Sequence, residues 1–543
     1  MGDRLLVTYQ LQCTAQEASA RAHALAVEQS VEMPPEAIAS ETVRAHIPGR
    51  VEAIESDPDT PDTQRVLISL SAETVGNDPA QLLNMLFGNC ALQPDVTLLD
   101  ARLPEALSEA LPGPRFGLDG WRAAIGPSAA GRPLSCTALK PQGLPPDELA
   151  RLAYAFARAG IDVVKDDHGI ADQPAAPFSL RVPAVQQAIE RANREKARGT
   201  DPALAGHRTL YAPHVSGPPA RIEQQLALIR DEGVAAVLAC PMLVGAGSFA
   251  GLIRERAGVP LIAHPSFAGG RIAPPLLFGH LYRLFGADAT IFPNWGGRFA
   301  YPRNTCLAIA EAARSPLGRH LPAMPVPAGG MRVDRCQEML DAFGPDTMLL
   351  IGGDLLMAGP AMPARAAAFA TALRAARTDS SVRRALSSGR WQGVTPMRYK
   401  ETGAVQTGAV QAGAVQTGAT PFRDVSRQVL FQLPELHCEW RYFEIAPGGH
   451  STLERHQHAH AVMILRGRGR CLVGERVHEI GEHDLITIAP DTWHQFRAAA
   501  DAPLGFLCLV NRERDRPRLP TPADLEQLRS RPEIAAFIRS SES

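Results

Sequence analysis

GIDVVKDDHGIADQP, residues 160–174, carries an apolar run straight into Lys165, Asp166, Asp167 and His168. On a strand successive side chains alternate faces, so Lys165 and Asp167 point the same way, and a bend after them can turn His168 inward. A lysine beside carboxylates suits metal ligation when its amine is neutral or carbamylated. Seven more short apolar runs flank this one: SCTALKP (135–141), TLYAPHV (209–215), AAVLACP (235–241), PLIAHP (260–265), ATIFPN (289–294), PAMPVPAGG (322–330) and TMLLIGGD (347–354). Between them lie amphipathic stretches such as PPDELARLAYAFARAG (145–160) and PARIEQQLALIRDEG (219–233), with Pro near the start and Gly after the end. Eight strand–helix units of about 30 residues predict an α/β (β/α)8 TIM barrel. In a barrel, chemistry sits at the C-terminal ends of the strands. Lys140, Lys165, Asp166, Asp167, His168, His214, His264, Asn294, Gly329, Gly330, Gly352 and Gly353 all fall there. The glycine pairs after the last two runs are expected to bind phosphate through backbone N–H groups.

Before the barrel, RLLVTYQLQ, RAHIPGRVEAIES and TQRVLISLSAE read as strands and CTAQEASARAHALAVEQS as a helix, giving a small N-terminal α+β domain. After it, GAVQTGAVQAGAVQTGAT (403–420) repeats a glycine every five residues, which weakens helix and strand alike. It reads as a tether, with one coil of a parallel β-solenoid as the alternative. The predicted domains are 1–125 (α+β), 126–390 (barrel), 391–425 (linker), 426–520 (a small all-β barrel) and 521–543 (tail).

At 543 residues with 45% apolar and 21% charged residues, the chain holds several globular domains. Its formal charge of -2 argues against nucleic acid or a membrane surface as a partner. Nine cysteines without a C-x-x-C pair predict free thiols in a reducing compartment. The N-terminus shows no secretion signal, and Pro241 breaks the most apolar stretch, so a cytoplasmic location is expected.

GIDVVKDDHG resembles the motif by which the RuBisCO superfamily binds Mg2+ through a carbamylated lysine, an aspartate and a glutamate. The resemblance places Lys165 at the carbamate, Asp167 at the aspartate and His168 where the family has glutamate. TALKPQG puts Lys140 at the lysine that moves protons at the enediol, and Gln142 where carboxylating enzymes carry a second lysine. GPRFGLDGWRAAIG, LYAPHVSGP, LIAHPSFAGGR (with His264) and GADATIFPNWGGRF follow in the family's order. Glu28 in VEQSVEMP and Asn89 in FGNC match residues that, in the family, reach the partner subunit's active site, implying a homodimer with composite sites. Loop GGRFAYP lacks the lysine that stabilises a CO2 adduct, Pro265 and Asn294 replace phosphate-binding residues, and Ala328 replaces a serine. These departures exclude CO2 fixation and leave one phosphate site, hence a ketose monophosphate substrate.

The C-terminal EIAPGGHSTLERHQHAHAVMILRGRGRCLVGERVHEIGEHDLITIAPDTWHQF (444–496) spaces Glu454, His456, His458 and His460 by two, one face of a strand, with His494 as a distant fourth. This resembles the two cupin motifs, with His460 in the place of the usual glutamate. Metal ligation by His456, His458, His460 and His494 is expected, with Glu454 competing for a place. Mn2+, Fe2+ and Ni2+ all suit such donors. A RuBisCO-like protein fused to a cupin implies isomerisation of 5-methylthioribulose 1-phosphate to 1-methylthioxylulose 5-phosphate, followed by methanethiol release at the cupin. The rivals are a decarboxylase or transcarboxylase acting on a branched sugar-acid phosphate (3-oxo-isoapionate 4-phosphate type) and a cupin that only senses a ligand.

Overall fold

The structure is a computed structural model that describes residues 3–539 except 58–59, 200–203, 377–385, 392–393, 395–396, 399–421, 434–437, 512–514 and 516. The tether lies outside the described residues. The chain forms two compact units, Met1–Asp379 and Ser380–Ser543. Among the described residues no helix is long and apolar enough to cross a membrane.

The first unit opens with an antiparallel sheet of β1 (Arg4–Gln12), β2 (Arg50–Asp57), β3 (Thr60–Ser71) and β4 (Val96–Arg102) in the order β2-β3-β1-β4. β1 alternates in the period-2 manner of a half-buried strand, burying Leu5, Val7, Tyr9 and Leu11 against α1 (Ala18–Glu28) and α2 (Pro79–Phe87). One sequence expectation fails here. RAHIPGRVEAIES is not one strand, because Glu41–His46 is a short helix whose Ser40 hydroxyl accepts the Val43 N–H. The strand begins only after Pro48-Gly49, where the backbone passes so close to Ala26 that a Cβ on Gly49 would lie 2.3 Å from its carbonyl oxygen.

Eight parallel strands follow: β5 (Leu134–Leu139), β6 (Val163–Asp166), β7 (Leu210–Ala212), β8 (Val237–Ala239), β9 (Leu261–Ala263), β10 (Ala289–Pro293), β11 (Met324–Ala328) and β12 (Met348–Leu350). They pair from β7 through β5 and β12 to β8, and a parallel bridge between His214 and Leu238 draws the two ends together. The predicted runs all supply strands. The helix between the first two, α3 (Pro146–Arg158), shows why the pattern was legible. Pro146 opens it, Asp147 and Glu148 meet its positive end, and Leu149, Ala153, Phe156 and Ala157 form one buried stripe; Gly160, at φ +81°, lets the chain turn away. Alternate strand residues such as Leu134, Val163, Leu210, Ile262, Ile291 and Val326 fill the interior together with Trp121 and Ile125, while Val164, Tyr211, Val237 and Leu349 pack outward.

The second unit is an antiparallel barrel of β13 (Arg423–Leu433), β14 (Cys438–His450), β15 (His460–Val473), β16 (Arg476–Gly481), β17 (Leu485–Ile488), β18 (His494–Ala498) and β19 (Leu504–Asn511). Ile445, Ile464, Phe496 and Phe506 are in its core. The stretch near Gly389 and Trp391, expected as the barrel's end and the start of the linker, bonds instead to the buried Gln428 amide. The segment expected as a tail carries two short helices whose Leu525, Leu528, Ile534 and Phe537 pack with Leu453 and Leu472.

Candidate active site

Val163 faces the barrel interior, so Lys165 and Asp167 share its side and Asp166 does not. Asp166 serves the fold: it accepts from Arg181 Nε (3.2 Å), the Tyr211 hydroxyl (2.8 Å) and the His214 backbone N–H (3.0 Å). Lys165 is buried and donates to the Asp166 carbonyl at 3.0 Å. Burial pulls its pKa below the lysine range, with Cys136 and Asp167 opposing. A desolvated amine is inclined to the neutral form that carbamylation requires.

Asp167 forms an ion pair with Lys140, lies 3.0 Å from Nδ1 of His168 and accepts the Gly169 N–H at 3.0 Å. Burial alone would raise this carboxyl. The bonds from His168 and Lys140 outweigh it and hold Asp167 well below the usual carboxylate range. The His168 ring stacks on His264 with centroids 4.2 Å apart. Nδ1 of His264 accepts the Ser266 backbone N–H at 3.1 Å. A backbone N–H can only donate, so the ring's proton sits on Nε2. Burial, reinforced by Lys165 and His168, keeps this imidazole neutral, its pKa well below the histidine norm. Lys140 runs past Gly352, whose Cβ would touch its Cε at 3.8 Å, and the Gln142 amide covers Gly169.

The structure therefore brings Lys140, Lys165, Asp167, His168, His264 and Gly352 together. Gly329, at φ +85°, and Gly353 have open space where a side chain would be. Gly330 is fixed by packing, since its Cβ would lie 2.4 Å from the Gly296 carbonyl oxygen. Asn294 is buried, with its amide nitrogen 3.0 and 3.1 Å from the sulfurs of Met331 and Met339, so it packs rather than lines the mouth. His214 is likewise buried, Nδ1 3.2 Å from the Ile170 carbonyl, and burial lowers its pKa to about 4. Asn89 donates to Glu28 at 3.0 Å and to Glu32 at 3.3 Å; among the described residues neither Glu28 nor Asn89 hydrogen-bonds a barrel-mouth residue.

In the second unit His456, His460 and His494 bring ring nitrogens within 4.8 Å of one another. Nδ1 of His456 lies 2.8 Å from the His458 carbonyl and Nδ1 of His494 lies 2.9 Å from the Thr492 carbonyl, so both rings donate there and present Nε2 as an acceptor. Nε2 of His456 and of His460 is buried without a hydrogen-bond partner. The acceptor Nε2 atoms of His456 and His494, gathered with His460 and with no proton to share between the two, are what a metal ion satisfies. The strand premise behind this cluster was wrong. His456 to Ala459 form a bend, and only His460 lies on β15. A bend stacks His458 on His456 at 3.7 Å and turns its Nδ1 to Asp515 at 2.7 Å. Asp515, which also accepts the backbone N–H groups of Gln457 and His458, carries no signal in the sequence.

A model of the RuBisCO large-chain catalytic domain matches residues 127–264, and a cupin domain model matches residues 441–510. The crystal structure of a Rubisco-like protein from Rhodopseudomonas palustris superposes with a TM-score of 0.63 at 44% identity, covering 70% of this chain and all of that one. The 5-methylthioribulose-1-phosphate isomerase of Rhodospirillum rubrum is 48% identical over 377 residues, 69% of this chain and 98% of its own length. This chain belongs to the RuBisCO-like proteins. Its C-terminal cupin is 54% identical over 152 residues, 28% of this chain, to the 1-methylthio-D-xylulose 5-phosphate methylsulfurylase of the same bacterium, covering 88% of that protein. Both families generally bind metals, which agrees with the converging ring nitrogens of the second unit.

Proposed function

We propose that this RuBisCO-like enzyme isomerises 5-methylthioribulose 1-phosphate to 1-methylthioxylulose 5-phosphate and that its cupin then removes the methylthio group. One observation carries the reading. Two relatives, named for a methylthio-sugar phosphate isomerase and a methylthioxylulose phosphate methylsulfurylase, are covered to 98% and 88% of their lengths by separate parts of this single chain.

The isomerisation is redox-neutral: the carbonyl moves two carbons along the chain through two enediols, each formed by loss of a C–H proton. Lys140, paired with Asp167, takes and returns those protons. His264 offers its fixed Nε2–H to the substrate oxygen on which charge develops. Lys165 as its carbamate, Asp167 and His168 would hold Mg2+, an assignment supported by the desolvated Lys165 amine. Mg2+ there would supply charge stabilisation to the enediolate. Gly329, Gly330, Gly352 and Gly353 are assigned to the phosphate. Glu28 and Asn89 are assigned to a partner subunit's site in a homodimer, and the enzyme to the cytoplasm.

In the cupin, His456, His460 and His494 would hold Mn2+, Fe2+ or Ni2+, with His458 beside them. Such an ion would polarise the ketone next to the C–S bond. Replacing C–S by C–H, with methanethiol leaving and a deoxyxylulose phosphate remaining, consumes two electrons and two protons. The step therefore needs an external two-electron reductant, such as a pair of thiols. Purified protein should be incubated with 5-methylthioribulose 1-phosphate, Mg2+ and a dithiol, and followed by phosphorus NMR and a methanethiol assay. The phosphate resonance should move to that of a 5-phosphate as methanethiol appears. An unchanged spectrum would refute the reading.

A further inference from the structure

We propose that Phe267, at the mouth of the barrel, is the residue that recognises the apolar alkylthio tail of the substrate. The inference rests on the function proposed above and adds a specificity determinant to it. Phe267 follows β9 by four residues and adjoins Ser266, whose N–H fixes His264. The Ala268 N–H bonds the Pro265 carbonyl at 3.0 Å, closing a four-residue turn with Phe267 in third place. Its φ is +62°, while Ser266 is not in the positive-φ region, the pattern of a type II turn. That position ordinarily takes glycine, because a Cβ is strained there.

Among the described non-glycine residues with positive φ, Phe267 is the one large apolar side chain. Packing within this chain does not offset the strain, since the residue is 82% exposed. A strained backbone that presents a bare aromatic ring three residues after His264 is a functional feature rather than a packing one. The adjoining strand points the same way. β10 pairs in parallel with β9, and its loop carries Phe299, 78% exposed, in the stretch GGRFAYP where carboxylating relatives place a lysine. Two aromatic rings on neighbouring loops, with no cation in that stretch beyond Arg298, suit a thioether rather than a second phosphate.

The test compares kcat/KM for 5-methylthioribulose 1-phosphate with that for 5-deoxyribulose 1-phosphate, which has hydrogen in place of the methylthio group. In Phe267→Gly, and independently in Phe267→Ala, the ratio of the two should fall about 10- to 100-fold, the range one apolar group commands in a pocket. An unchanged ratio, or equal losses on both substrates, would overturn the proposal. So would a shift in oligomer mass in the variants, which would make the ring part of a subunit interface. Failure of the unsubstituted protein to turn over the methylthio substrate is a separate result: it removes the function on which the proposal rests.

Discussion

Lys140 is paired and half-exposed: its side chain reaches Asp167 while Lys165 stays buried. A proton carrier needs that freedom, and a carbamate site needs the opposite. The two lysines thus divide roles by environment rather than by residue type. Lys140→Met should leave the fold intact by circular dichroism and lower deuterium exchange at the substrate carbon by at least ~100-fold, as loss of a general base does. Exchange at the native rate in D2O would remove Lys140 from the mechanism. At this scale the sequence was legible where period-2 alternation decides direction, as for Lys165 and Asp167. It was illegible where a turn decides it: neither Ser266 fixing His264 nor Asp515 holding His458 follows from spacing, because each partner arrives by chain reversal or from a distant segment.

Among elements, the two ends of the barrel hold different chemistry. At the N-terminal end Asp162, just ahead of β6, accepts from Arg132 at 2.9 and 2.7 Å, from Ser135 Oγ at 2.8 Å and lies 2.9 Å from Nε2 of His207. Burial would raise this carboxyl, but the bonds from Arg132 and His207 drive it well below the carboxylate range. A depressed carboxyl contributes stability that is complete above its unfolded pKa of about 3.9 and is lost as pH falls toward its folded value. Asp162→Asn should therefore cost about 3–5 kcal/mol in urea denaturation at pH 7, because Arg132 stays buried without its counter-charge, and should flatten the acid limb of stability against pH. A loss under 1 kcal/mol would show the network to be dispensable. The strands and barrel order were readable because each unit repeats one pattern of run, turn and amphipathic helix. The cupin's His-x-His-x-His shows the limit of such patterns: a spacing of two fits a strand and equally the bend at Gln457–His458 that stacks the rings.

For the whole molecule, the question is whether two chemistries run independently on one chain. Each unit has its own core, and each proposed metal site draws its donors from one unit alone. The repeat from Gly403 to Thr420, read as a tether, falls within the second unit, after Trp391 and before β13, so the boundary between the units lies upstream of it, at Asp379–Ser380. If the division is real, cutting the chain at the unit boundary, Asp379–Ser380, should yield an N-terminal fragment that still isomerises the methylthio sugar phosphate. The C-terminal fragment should still bind a transition metal, measured by elemental analysis. Replacing His456 and His494 together by Ala in the full chain should strip that metal, because it removes two of the three ring nitrogens that converge there. Methanethiol release should then stop while 1-methylthioxylulose 5-phosphate accumulates, a build-up that phosphorus NMR would detect directly. A double variant that loses the isomerisation as well would show that the barrel depends on the cupin. Thiol release that continues without the metal would make the cupin's histidines structural or sensory. Accumulation of the intermediate is the outcome that only two separable sites produce.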